Sequence, residues 1–371
     1  MMGRSGLWFS AIVLSVISLA LSSTISAAHR DDNAYRELAL ISIPGAPLNS
    51  FDISWVDRSS QTYYLADRSN SGIDIVSARN DSFVARIGGF VGFHGSNETA
   101  GPNGVLVIQS RDELWAGDGD STVKVIDLRS RQIVKSISTG GTNRADEIAF
   151  DQRDDVVLIA NDAEAAPFVT FISARDRSVL GHISFTDATN GLEQPVWDPE
   201  THLFYMSVPQ LGADPLHGGI AVMDPRSLSL RALFPVASCQ PAGLALGPHQ
   251  HLLVGCSQDA IAAGAQAQTI VMNAHDGSIV AATTKVGGSD EVWFNPGDDR
   301  YYLAARGMTS NGLATGTPTP VLGVIDAEDN EWITNIPTGP NAHSVAADPI
   351  NNHVFVPLKG QGVAVFTHAD D

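Results

Sequence analysis

Thr122-Val-Lys-Val-Ile-Asp-Leu-Arg-Ser-Arg-Gln-Ile-Val-Lys-Ser-Ile-Ser138 holds two β-branched runs with a polar turn between them. Alternation of apolar and polar residues on either side of such a turn reads as an antiparallel strand pair. The first run, an apolar strand that ends on a polar or acidic residue, recurs through the chain. It returns as Ile73-Asp-Ile-Val-Ser77, Val169-Thr-Phe-Ile-Ser173, Ile220-Ala-Val-Met-Asp224, Thr269-Ile-Val-Met-Asn273, Leu322-Gly-Val-Ile-Asp326 and Gly362-Val-Ala-Val-Phe366. With Val123-Lys-Val-Ile-Asp127 that makes seven copies.

Each copy but the last is followed by a second strand, then a Gly or Pro turn. A short strand such as Glu147-Ile-Ala-Phe150 comes next, and after another turn a fourth, such as Val156-Val-Leu-Ile-Ala160. Four antiparallel strands repeated seven times predict an all-β fold, a seven-bladed β-propeller. The last copy lacks its outer strand, and Glu37-Leu-Ala-Leu-Ile-Ser-Ile43 is an orphan near the other terminus. Pairing that orphan with the last copy would close the ring and remove two sheet edges. A two-sheet sandwich explains neither the common phase nor the orphan.

Composition limits function. The 371 residues carry 41 Asp+Glu against 22 Lys+Arg, a net charge of −19, so nucleic-acid binding is excluded for want of a cationic footprint. At 43% hydrophobic and 17% charged the chain is not disordered. Two cysteines cannot make a four-thiolate zinc site. Met1–Gly6 carries Arg4, an apolar run spans Leu7 to Leu21, and Ser26-Ala27-Ala28 is a small-x-small signal. Residues 1–28 therefore read as a secretory signal peptide and 29–371 as one propeller domain, secreted or periplasmic, with no membrane span after cleavage. In that compartment Cys239 and Cys256, on strands paired around Gly247–Gln250, are expected to form a structural disulfide. Asn80-Asp-Ser82 and Asn97-Glu-Thr99 are glycosylation sequons. Trp115, Trp197 and Trp293 read as packing between blades.

Thr122-Val-Lys-Val-Ile-Asp127, Ile133-Val-Lys-Ser-Ile137 and Pro241-Ala-Gly-Leu-Ala245 resemble the YVTN-type propeller repeat, over roughly residues 36–368. The innermost strands would line the channel, and aligning them gives one column: Asp52, Asn103, Asp146, Glu193, Ala242, Asp290 and His343. A second ring, Ile53, Gly104, Glu147, Gln194, Gly243, Glu291 and Ser344, is expected by period-two alternation to face the neighbouring blades. Carboxylates gathered on one axis repel one another unless a cation or shared protons compensate, which is the argument for metal in the first column.

Two segments carry a further resemblance. Glu193-Gln-Pro-Val-Trp-Asp-Pro199 and Gly101-Pro-Asn103-Gly are similar to strands of the gluconolactonase-type propellers, calcium-dependent lactonases with six blades. The resemblance implies a divalent metal held by Asn103 and Glu193, with Asp146 and Asp290 at analogous strand starts. Calcium suits an oxygen set, with magnesium also possible; His343 would admit manganese or zinc. The expected chemistry is hydrolysis of a small lactone or ester, the ion lowering the pKa of a bound water. Asp52 would be a further ligand or the base, His343 would move a proton, and His94, in the polar loop before Asn103, is another candidate base. His217 lies in a second long loop. Gly-x-Ser-x-Gly, His-Glu-x-x-His and phosphate-loop motifs are absent. Two other classes remain open: a non-catalytic binding module for a protein, glycan or small ligand on its top face, and a metal-dependent lyase acting on an acidic substrate.

Overall fold

Asp57, Asp127, Asp151, Asp198, Asp224, Asp326 and Asp348 stand at or just beyond strand ends. Each carboxylate accepts a backbone N–H two or three residues on, at 2.7–3.1 Å. That local bond turns the chain before the next strand begins. The acidic residue that ends the repeat at Asp127, Asp224 and Asp326 is therefore a turn clasp, and Asp57, Asp151, Asp198 and Asp348 do the same where the innermost strands of their blades end.

The computed structural model describes residue 1 and residues 34–369; the signal-peptide expectation for residues 1–28 lies outside them. Seven four-stranded antiparallel sheets follow in order along residues 34–369. We number the blades 1 to 7 by their innermost strands: Ser54–Asp57, Val105–Ile108, Ile148–Asp151, Pro195–Asp198, Pro241–Leu246, Val292–Asn295 and Ala346–Ala347. The repeat read from the sequence is the third strand of every blade, for example Thr122–Asp127 in blade 2 and Gly362–His368 in blade 7. Tyr35–Ile41 supplies the outer strand of blade 7, running antiparallel to Gly362–His368 with Ile41 opposite Val363 and one bulge between Glu37 and Ala39. The ring is thus closed by joining the two ends of the described chain.

The core lies between blades. There are seven apolar clusters, one for each pair of neighbouring blades. Between blades 3 and 4, for instance, Leu158 and Phe171 meet Phe204, Met206 and Met223. Each such fully buried side chain contributes about 1.5–3 kcal/mol, so the repeated interface dominates stability. Trp115 is buried as expected, its indole N–H donating to Glu113 at 2.9 Å. Cys239 and Cys256 are bonded, with Cα atoms 4.5 Å apart. Among the described residues no helix is long and apolar enough to cross a membrane.

Candidate functional site

Just before the innermost strand of five blades, the ladder gains a residue. In blade 3 the Asp146 N–H donates to Ala160 O, and Ala160 N–H donates back to Glu147 O, not to Asp146. The same pattern joins Asp52 and Ile53 to Ala66, Asn103 and Gly104 to Gly117, Glu193 and Gln194 to Ser207, and Asp290 and Glu291 to Ala304. Two consecutive residues oppose one, which is a β-bulge, and a bulge suspends period-two alternation. Both columns can therefore turn toward the axis. The expectation that the second ring faces only the neighbouring blades is corrected on this point for Glu147 and Glu291. It holds for Gly104, where an added Cβ would lie 2.0 Å from Asp146 O of the next blade.

A cavity of about 620 Å³ opens at this end of the channel. Asp52, Asp146, Glu193, Asp290 and His343 line it, as do Glu147 and Glu291. Three arginines stand among them. Arg68 forms a close ion pair with Asp52 and donates through Nε to Asn103 Oδ1 at 2.9 Å. Arg144 reaches Asp146 at 2.8 Å and Asp162 at 2.5 Å, and Arg306 reaches Asp290 at 2.9 Å. Each aspartate of the first column thus has its own guanidinium. Among the described residues, Glu147, Glu193 and Glu291 have no ion pair.

Charge states follow from that division. Burial works against ionisation of Asp52, but the Arg68 guanidinium together with His343 and Arg144 outweighs it and holds the carboxyl well below the usual range. Burial raises Glu291 to about 8, and it shares a hydrogen bond with Glu147. Glu147 is raised by burial and then by Glu291 and Asp146; Glu193 is raised by burial and then by Asp290. Asp146 is also raised, burial outweighing Arg144, and its Oδ1 is buried without a hydrogen-bond partner. The mouth therefore holds Glu291, which keeps its proton at neutral pH, beside Asp52, which does not, and burial pushes Glu147, Glu193 and Asp146 in the same direction as Glu291.

The other candidates separate. His343 stacks on Phe51 with ring centroids 4.6 Å apart; its Nδ1 lies 3.0 Å from Asn341 O, and its Nε2 faces Asp52 Oδ1 at 3.6 Å. Asn103 is fully buried, its amide N–H donating to Ala145 O at 2.8 Å while its oxygen accepts from Arg68. His94 turns back onto its own loop, with Nδ1 3.2 Å from Gly92 O and Nε2 3.0 Å from Thr99 Oγ1; its neighbours Phe93 and Gly95 line the mouth. His217 is exposed at the start of the strand His217–Asp224. Gln194 ties three blades together, its amide N–H donating to Val292 O at 3.0 Å while its oxygen accepts from Leu244 N at 2.8 Å and Val292 N.

A divalent ion needs several oxygen ligands converging at about 2.0–2.6 Å. Asn103 spends its oxygen on Arg68, and Asp146 and Asp290 each face a guanidinium. Among the described residues no three His, Cys, Asp or Glu groups converge closely enough to hold a metal ion. As folded, the donor set does not fit such an ion; arginines occupy the compensating role.

Those arginines were missed in the sequence, though a signal for two of them existed. The position just beyond the second strand reads Arg68, Gly119, Asp162, Pro209, Ser257, Arg306 and Lys359 across the blades. Arg68, Arg306 and Lys359 all line the mouth. Three basic residues in one column is a notable density for so acidic a chain.

No protein-family model matches this chain, and neither does any curated protein. Among solved structures, a chain of Kuenenia stuttgartiensis hydrazine synthase is similar over 89% of this chain and all of its own length, at 13% identity and a TM-score of 0.69. A chain in a crystal structure of the mitotic checkpoint complex is similar over 98% of this chain and all of its own length, at 14% identity and a TM-score of 0.65. At such identity these likenesses establish the fold alone: this chain is a seven-bladed β-propeller, and its function has to be argued from the mouth.

Proposed function

We propose that the propeller is a binding module whose charged mouth takes a small molecule bearing a protonated amine or guanidinium group. One observation carries this reading: among the described residues, Glu147, Glu193 and Glu291 line the cavity with no ion pair, whereas Asp52, Asp146 and Asp290 each have an arginine. A ligand cation among the three glutamates would supply the missing countercharge and allow them to ionise. The unpartnered Asp146 Oδ1 offers an acceptor, and Phe51, His343 and Phe93 give the cavity an apolar wall. Its volume suits a compact ligand. An extracytoplasmic location is part of the proposal, argued from the N-terminal segment; a disulfide is compatible with it.

Agmatine and cadaverine, with butanol and butyrate as neutral and anionic controls, test the reading by thermal shift. A ligand present at a hundred times its Kd should stabilise by about 2.7 kcal/mol. Glu193→Gln should weaken the shift with the cations. The reading fails if no cation raises the melting temperature.

A second reading is hydrolysis of a small ester or lactone. It is favoured by the proton shared between Glu147 and Glu291, since a carboxyl titrating at about 8 can act as a general acid at neutral pH. The metal-dependent form, hydrolase or lyase, would need Asp146 and Asp290 released from Arg144 and Arg306. A calcium and manganese titration with a lactone panel separates the cases. A metal-induced rise in melting temperature supports the metal site; turnover without added metal supports the carboxyl pair.

A further inference from the structure

The innermost strands run from the charged mouth to the opposite face, and there the channel changes character. A second cavity, of about 870 Å³, opens among Trp55, Trp197, Trp293, Phe150 and Phe294. Trp55 and Trp293 meet edge to face, with centroids 5.3 Å apart. Both arise from the position three residues beyond the first-column residue of their blade, so the residue type at one repeat position builds the wall. Blades 2 to 5 put Leu106, Ala149, Val196 and Ala245 at that position, all lining the same space. None of these four side chains is as large as an indole, and Ala149 and Ala245 are the smallest, which leaves room in the cavity beside the two tryptophans.

The inner end of this cavity is polar. Glu147 lines it and also lines the mouth, so the two cavities share this residue. Gln194 lies beside it, but both of its amide atoms are committed to backbone partners. Ser54 also lines this cavity, but its hydroxyl pairs with Ser344 Oγ at 3.0 Å. Glu147 therefore offers hydrogen-bonding capacity at the inner end, its carbonyl oxygen accepting even while burial favours the protonated carboxyl. The Nε1 of Trp197 is buried without a hydrogen-bond partner among the described residues. The outer rim carries Arg58, Gln109 and Gln152 and no carboxylate.

We infer that the opposite face holds a second ligand site, sharing only Glu147 with the mouth, for a flat, uncharged, largely apolar molecule that carries a hydroxyl donor at its leading end. The indole and phenyl walls recognise an aromatic face, with offset or edge-on packing worth about 0.5–1.5 kcal/mol per ring pair beyond burial. The hydroxyl would donate to Glu147. A charged leading group fits less well: the burial that disfavours ionisation of Glu147 disfavours any other charge placed beside it, and a small cation has the glutamate-rich mouth available on the other side. The volume, within the range of small-molecule pockets, favours a compact ligand over a protein surface.

The site reports on itself, because three of the six tryptophans in the chain line it. Titrating the full-length protein with 2-naphthol should quench tryptophan emission saturably. Naphthalene should bind about tenfold more weakly, because it lacks the donor for Glu147, and 2-naphthoate should be excluded. Trp293→Leu should weaken 2-naphthol about tenfold or more by removing a wall. Ala149→Leu should weaken it by filling that room while retaining all six tryptophans. Circular dichroism and melting temperature identify any variant that has not folded, and the other variant then decides. Agmatine at the mouth should leave naphthol binding measurable, which keeps this site separate from the one proposed above. The inference is overturned if wild-type quenching stays linear in 2-naphthol, if both folded variants bind as the wild type does, or if 2-naphthoate binds equally well.

Discussion

Arg68 shows how a single side chain sets the chemistry of its surroundings. It neutralises Asp52 and holds the Asn103 amide, and it is itself almost fully buried. Arg68→Ala would leave a buried carboxylate without its countercharge and is expected to cost about 3–5 kcal/mol, read from chemical denaturation. Adding Asp52→Asn should restore part of the loss, because the neutral amide does not need a guanidinium. Protonation of the glutamates gives a second residue-scale prediction. Glu291 titrates at about 8 in the folded protein, against about 4.3 for an ordinary glutamate, so the folded state keeps a proton that the unfolded chain has released. Its contribution is complete below the unfolded pKa and is lost as pH rises through about 8. Glu147 and Glu193 act in the same direction, while Asp52 acts oppositely and loses its contribution on acidification. The melting temperature should therefore be higher near pH 5 than at pH 8, and Glu291→Gln should flatten the slope. Asp74, raised to about 8 by burial near Asp67, keeps the flattening partial.

The element that carries most consequence is the terminal strand Tyr35–Ile41. Its partner Gly362–His368 would otherwise be an open edge, and the cluster between blades 7 and 1 would lose Ile41. Deleting residues 1–41 should lower the melting temperature markedly and produce concentration-dependent association by light scattering; a monomer of unchanged stability would contradict the closure argument. Within blade 5 the disulfide ties the approach to the innermost strand, at Cys239, to the end of the second strand, at Cys256. Cys239→Ser with Cys256→Ser is expected to cost about 2–4 kcal/mol, again by denaturation. Strand number, phase and ring closure were all legible in the sequence, because period-two patterning and turn residues act over a few positions. The bulge before the innermost strand was not. It is a hydrogen-bond offset between two strands and leaves no fixed residue type: the paired positions are Asp52-Ile53 in blade 1 but Asn103-Gly104 in blade 2. Alternation read across it therefore misassigned Glu147 and Glu291.

At the scale of the whole molecule, the net charge of −19 makes self-repulsion a general destabilising force. Raising ionic strength from about 0.01 M to about 0.15 M shortens the screening length from about 30 Å to about 8 Å, so the melting temperature should rise over that range. A fall would mean that screened ion pairs outweigh the repulsion. The channel is also polarised, with acids and arginines at one mouth and indoles at the other, and the two cavities share Glu147.

The sequence by itself determined the seven blades, their order, the closing strand, the disulfide and the first column of polar side chains. Each of these is written in short-range pattern, and a ring of identical units converts a repeat position into a place around an axis. Tertiary structure alone decided which acids have partners. Arg68 comes to Asp52 from the next strand of its own blade, and Arg144 stands two residues before Asp146 on a path that alternation could not trace. Coulomb attraction and desolvation depend on distance through space and on burial, and neither is encoded in spacing along the chain. What reads in the sequence as a ring of like charges therefore becomes, once folded, three aspartates that each face a guanidinium and three glutamates without an ion pair among the described residues.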